Sequence, residues 1–173
     1  MLPIALARGA PRDIPFIMAC ERRPGYERQV GRWPEDRHAA TMADPEFIYL
    51  VGSANGEPRG FAILRDRFPG FANLYLKRIA VHDAERDFGW PFLAAVTDWV
   101  FANTDARRFW LEVMESNTRA AHVYTSLGWK EERRVRETFM EPDGSHSPCI
   151  QVHMSLLKPD WQARSGGADQ KDQ

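Results

Sequence analysis

Leu111-Glu112-Val113-Met114-Glu115-Ser116-Asn117, running on through Ala120 and Tyr124 to Gly128-Trp129, is the stretch from which the fold is read. Phe109, Leu111 and Val113 alternate with Trp110, Glu112 and Met114, the period-two run of a buried strand. Asn117 or Thr118 then supplies a helix N-cap, because a short oxygen side chain satisfies free N–H groups of the first turn. Ala120, Val123, Tyr124 and Leu127 recur at helical spacing, and Gly128 stops the helix where positive φ is commonly needed. A strand carboxylate, Glu112, and a helix phenol, Tyr124, are thereby placed to converge on one crevice.

Upstream, Asn73 to Val81 reads as a strand whose two-residue rhythm slips between Leu76 and Ile79, as a β-bulge would make it. A loop from His82 to Trp90 leads into a helix with Pro91 in its opening turn and Phe92, Ala95, Val96, Trp99 and Val100 on one apolar face. The section from Asn73 to Val113 is therefore a βαβ unit, locally parallel. Downstream, Glu131 to Met140 and Pro148 to Leu157 form a long hairpin. Toward the N-terminus, Phe47 to Gly52 and Arg59 to Arg65 flank Asn55-Gly56, the clearest hairpin signal in the chain. Ile4 to Ala7 reads as a first strand, Asp13 caps a short helix, Tyr26 to Val30 reads as a second helical piece, and Pro34 opens a third. The order predicts an α+β domain with a mixed, mostly antiparallel sheet of about seven strands and helices on both faces. Residues 1–160 read as a single domain, and 161–173, rich in Ser, Gly, Asp, Gln and Lys, as a disordered tail.

Composition narrows the function classes. A chain of 173 residues, 43% hydrophobic, is large enough for one well-filled core. Twenty-three Lys and Arg against twenty-four Asp and Glu give a net charge of −1, without the basic excess of a general nucleic-acid binder. Cys20 and Cys149 stand far apart with no metal-ligand spacing, which points away from a metal site and toward a reducing cytoplasm. No apolar run approaches the roughly 20 residues of a membrane span.

Residues Leu76 to Trp129 resemble the GCN5-related N-acetyltransferase superfamily, and the flanking elements follow its order from Ile4 to about Leu157. The most specific match is Asn117-x-x-Ala120-x-x-x-Tyr124-x-x-Leu127-Gly128-Trp129. Lys77-Arg78-Ile79-Ala80-Val81 resembles the family's bulged strand, and Arg86-Asp87-Phe88-Gly89-Trp90-Pro91 its acyl-CoA loop, with Pro where the family has Gly or Ala. Leu111-Glu112-Val113, followed by Ser116-Asn117, resembles ribosomal-protein alanine acetyltransferases, whose matching Glu is the general base.

The resemblance implies transfer of an acetyl group from acetyl-CoA, as co-substrate, to a primary amine. Ile79, Ala80 and Val81 would pair with the cofactor arm, Arg86 through Pro91 would hold its pyrophosphate, and Asn117 would contact the arm. Tyr124 would protonate the departing thiolate, and Glu112 or an ordered water would accept the amine's proton. The physics agrees in outline, since a helix N-terminus suits a pyrophosphate and Gly89 allows close backbone approach. Pro91 removes one donor, however, and Asp87 adds a negative charge. The rival reading is a non-catalytic acyl-CoA-binding or sensing module of the same fold. The acceptor would be a small-molecule amine or a peptide or protein amine, with no nucleic acid and no membrane, and a homodimer is compatible. His82 is a second site for a neutral-pH proton, His38, His122, His146 and His153 form no cluster by spacing, and Trp33 is placed to line an acceptor pocket.

Overall fold

The computed structural model describes residues 3–66, 70–82 and 88–166. Seven strands form one sheet: β1 (Ala5–Arg8), β2 (Phe47–Ala54), β3 (Glu57–Arg65), β4 (Asn73–Val81), β5 (Arg108–Met114), β6 (Lys130–Met140) and β7 (His146–Leu157), in the spatial order β1-β2-β3-β4-β5-β7-β6. Every pairing is antiparallel except β4 with β5, where the expected βαβ crossover makes the strands parallel. The helices are α1 (Ile14–Glu21), α2 (Glu35–Ala43), α3 (Gly89–Asn103), α4 (Thr118–Ser126) and α5 (Lys158–Gly166).

Two apolar clusters mark the two faces of the sheet. Leu50, Ala62, Leu64, Leu74, Leu76, Phe109, Leu111 and Val113 pack with Phe92, Leu93 and Val96 of α3 and Tyr124 of α4. Their strand neighbours Tyr49, Phe61 and Ile63 turn the other way, onto Ile17 and Cys20 of α1 and Trp33 behind it. The buried face of α3 is rotated from the expected one: Leu93, Thr97 and Phe101 are buried with Phe92, Val96 and Val100, while Ala95 and Trp99 are only partly covered. Sequence periodicity located this helix but could not fix the stripe, because it is apolar almost all round.

Asn55 (φ 53°) and Gly56 (φ 80°) both sit in the left-handed region, the pair of conformations that a tight hairpin between twisted strands requires. Tyr26 to Val30 is a run of turns rather than a helix, starting just after Gly25 (φ 89°). The tail expected from residue 161 begins instead as α5. Trp161 is buried against the α3–α4 side of the core and donates its Nε1–H to Asp98 Oδ1 at 2.7 Å. A single tryptophan in an otherwise polar segment supplied that anchor, which composition averages out.

β4 carries the irregularity that shapes the site. Ile63 pairs with Arg78 and Leu64 with Leu76, so Lys77 is the extra residue of a β-bulge. Parity confirms it: Leu74 and Leu76 face the α3–α4 cluster before the bulge, whereas Ile79 and Val81 face it afterward. The parallel ladder with β5 ends at the pair Leu76 and Leu111, although β5 continues against β7 as far as Met114. Beyond Leu76 the two central strands therefore part.

Candidate active site

The gap between β4 and β5 opens a crevice of about 1030 Å³. Ile79, Ala80, Val81, Gly89, Trp90, Glu112, Asn117, Ala120, Val123 and Tyr124 line it, and so do Tyr26 through Arg32 and the hairpin residues Phe139 through Pro142. Side-chain alternation places Glu112 on the α1–α2 face of the sheet, opposite Leu111 and Val113, which pack with Tyr124. Both nevertheless border one space, so the crevice passes through the sheet at the point where the strands separate.

Tyr124 is positioned by α4. Asn117 caps that helix, its Oδ1 accepting from the Ala120 N–H at 3.2 Å, and Gly128 ends it at φ 87°. Trp129 packs against Tyr124 with ring centroids 5.7 Å apart, and Trp90 Nε1–H donates to Ser126 Oγ at 3.0 Å, tying the start of α3 to the end of α4. The phenol is 8% exposed, and burial pushes its pKa well above that of a free tyrosine. It stays protonated throughout the physiological range, as a hydrogen-bond donor must.

Glu112 is partly buried and held from two sides. Tyr75 Oη donates to its Oε2 at 3.0 Å, and His153 Nε2 lies 3.6 Å from its Oε1. Neither partner had been singled out from the sequence. Their signal is the register, which sets Tyr75 beside Trp110 and His153 opposite Glu112 across strands far apart in the chain. Spacing alone cannot show that.

Several expected ligand residues occupy other surroundings. Phe88 is buried and stacked on Phe92 at 5.3 Å, so its ring turns into the core, and neither it nor Pro91 lines the crevice. The Val81 carbonyl already accepts from Tyr26 Oη at 3.4 Å and from Arg23 Nη1 at 3.5 Å. Arg86 and Asp87 lie outside the described residues. Trp33 does not line the crevice but is buried beneath it, with Arg78 over its ring at 4.4 Å. His82 stands beside Cys20, its Nδ1 3.9 Å from the sulfur, and does not border the crevice.

On the α1–α2 side of the sheet lies a buried polar cluster that the sequence did not announce. Glu21, on α1, is fully buried; it pairs with Arg78 and accepts from His38 Nε2 and from the Trp33 N–H, each at 3.1 Å. His38 Nδ1 lies 3.1 Å from Tyr49 Oη. Burial by itself would raise the Glu21 pKa. The His38 hydrogen bond, the Arg78 charge and the Trp33 N–H outweigh it and hold the carboxyl below its ordinary range. Burial drives the Tyr49 phenol up to about 12.

The fit of a CoA thioester can be judged from the backbone. Beyond Leu76, β4 has lost its β5 partner, which leaves an open strand edge along the crevice. At the N-terminus of α3 the capping residue is Phe88, which offers no side-chain acceptor, and among the described residues a Cβ built at Gly89 would meet no atom within 4 Å. N–H groups that no described side chain caps suit an anion. The arrangement accommodates an amide-rich arm ending in phosphates.

The sequence model of the Acetyltransferase (GNAT) family matches residues 16–129. No curated protein is matched by the sequence. Among solved structures, the ribosomal-protein-S18-alanine N-acetyltransferase from Escherichia coli is similar at TM-score 0.70 and 23% identity, over 90% of this chain and 94% of the other. The spermidine N-acetyltransferase from Vibrio cholerae, in complex with CoA and spermine, is similar at TM-score 0.78 and 16% identity, over 92% and 98% of the two chains.

Proposed function

Because the chain belongs to the GNAT acetyltransferase family, and so is an acetyl-CoA-dependent N-acetyltransferase, we propose that Glu112 and Tyr124 carry the transfer across the gap between β4 and β5, onto the α-amine of a peptide or protein. The observation that carries this reading is their placement on opposite faces of the sheet along one continuous crevice.

In this reading the cofactor arm lies along the open edge of Ile79 and Ala80, beside Asn117 and Tyr124, and its phosphates lie at the N–H groups of Gly89 and Trp90. The co-substrate supplies a thioester carbonyl and a sulfur leaving group. Glu112 takes the proton of the incoming amine on the α1–α2 face. Backbone N–H groups of the bulged strand face the developing oxyanion. Tyr124, protonated and buried, donates to the sulfur as the bond breaks. The remaining acceleration comes from holding both reactants in the gap.

Charge supports the choice of acceptor. On the α1–α2 side the crevice is lined by Glu27, Glu112 and Glu141, but also by Arg28, Arg32, Lys77 and Arg78. A polyamine with several positive charges calls for an acidic wall, whereas these side chains are balanced. The same end of the crevice shares Arg28, Gln29 and Met114 with a second groove of about 820 Å³ along β6 and β7, room for residues that follow a terminal amine. We assign residues 3–166 to one domain. Cys20 and Cys149, both free, suit a reducing cytoplasm.

Calorimetry with acetyl-CoA, followed by thiol-release assays over peptides, polyamines and amino sugars, tests the reading. Binding with turnover of peptide amines is expected. No binding at millimolar acetyl-CoA refutes the cofactor site, and turnover confined to spermidine or spermine refutes the acceptor.

A further inference from the structure

Glu112 projects from the middle of β5, and a residue from each flanking strand reaches one of its two carboxylate oxygens. Tyr75 of β4 donates to Oε2 at 3.0 Å, and His153 of β7 faces Oε1 at 3.6 Å, just beyond hydrogen-bond length. Such contacts are commonly long before substrate binds. Trp110 lies next to both partners: its ring centroid is 4.4 Å from that of Tyr75 and 6.0 Å from that of His153, with only 13° between the latter planes. This aromatic row fixes the plane of each donor.

The far side of His153 decides which nitrogen holds the proton. Arg133 of β6 sets its Nη2 3.4 Å from His153 Nδ1. A guanidinium can only donate, so Nδ1 is the acceptor and the imidazole proton resides on Nε2, toward Glu112. Tyr75 from β4 and Arg133 and Glu132 from β6 face the pair, and Lys77 from β4 with Glu27 and Arg28 from the turns after α1 line the same crevice as Glu112. Glu132 is in turn held by Arg108 and by Ser155 Oγ, the latter at 2.6 Å.

We propose that His153 and Tyr75 are positioning residues for Glu112, which aim its carboxylate into the gap, with Arg133 setting the imidazole tautomer. The inference rests on the reading of Glu112 as the base. A carboxylate held at both oxygens keeps one orientation, and losing either donor lets it swing away from the gap.

Steady-state kinetics of the full chain at saturating amine test it, read as kcat against the KM for acetyl-CoA. His153→Phe keeps a ring against Trp110 but has no N–H, and Tyr75→Phe keeps the stack but loses the hydroxyl. Each is expected to lower kcat about tenfold, with the KM for acetyl-CoA unchanged. His153→Gln, which retains a donor, is expected to restore most of the rate, and Glu112→Gln to lower kcat by about 10²–10⁴. If Glu112→Gln loses the rate yet both phenylalanine variants keep it, the positioning inference fails and the base reading stands. If Glu112→Gln keeps the full rate, the base reading fails and takes the inference with it. Imidazole 15N shifts in the unmutated protein give an independent check: a proton on Nε2 alone supports the assignment, and a proton on Nδ1 overturns it.

Discussion

Replacing Glu21 by Ala would remove the acceptor at the centre of the buried cluster and leave three donors behind: the Arg78 guanidinium, His38 Nε2 and the Trp33 N–H. Glu21 is fully buried and the Arg78 side chain is 8% exposed, so water cannot take over the lost role. Breaking such a pair by removing one partner costs about 3–5 kcal/mol. For a chain of this length each kcal/mol shifts the thermal midpoint by about 2–4 °C, so a fall of roughly 6–20 °C is expected. The direction with pH follows from Glu21's depressed pKa. Its contribution is fully present above the unfolded value, near 4.3, and is lost as pH falls through the lower folded value. The gap between the unmutated protein and Glu21→Ala should therefore narrow on acidification. Glu21→Leu combined with Arg78→Met should recover only part of the loss, because it leaves no charge unpaired but still strands His38 Nε2 and the Trp33 N–H. Circular dichroism melts at pH 7 and at stepwise lower pH measure all of this. A midpoint that falls by less than about 2 °C at pH 7, or a gap that widens with acid, would refute the reasoning.

Tyr124→Phe should lower kcat by about 10²–10⁴ while calorimetric acetyl-CoA binding persists, because the ring's packing is kept and only the proton donor is lost; unchanged turnover removes Tyr124 from its role. Gly52→Ala would place a Cβ 2.4 Å from Cε2 of the fully buried Phe92. Overpacking of that kind costs about 1–3 kcal/mol, so urea denaturation should show a lower midpoint with unchanged slope; an equal midpoint would show that the ring moves aside freely.

The fold was legible in the sequence because its signals were local. Asn55-Gly56 announced a hairpin, Asn117 and Gly128 bracketed α4, and the slipped rhythm at Lys77 announced the bulge, each within a few residues of its cause. The candidate site was legible only in part. Glu112 and Tyr124 stand in a pattern of fixed spacing, but His153 and Tyr75 meet Glu112 through strand register, which no window of sequence contains. The Glu21–His38–Tyr49 cluster is non-local in the same way. A Glu in a short helix and a His in a polar one carry no spacing that joins them until the sheet brings them together beside Arg78. α5 was missed because one buried Trp161 outweighs a polar surrounding that periodicity and composition both record as tail.

The bulge at Lys77 also bears on the order of arrival. On the proposed reading the nucleotide reaches the gap from the α3–α4 side and the amine from the other, so neither reactant stands in the other's path. Kinetics should then be sequential without a compulsory first partner, and spent CoA should compete with acetyl-CoA rather than with the amine. A compound joining both reactants through one linkage would lie across the sheet between Leu76 and Val113, its linkage in the gap that the strands already leave open, and should exclude acetyl-CoA and the amine together.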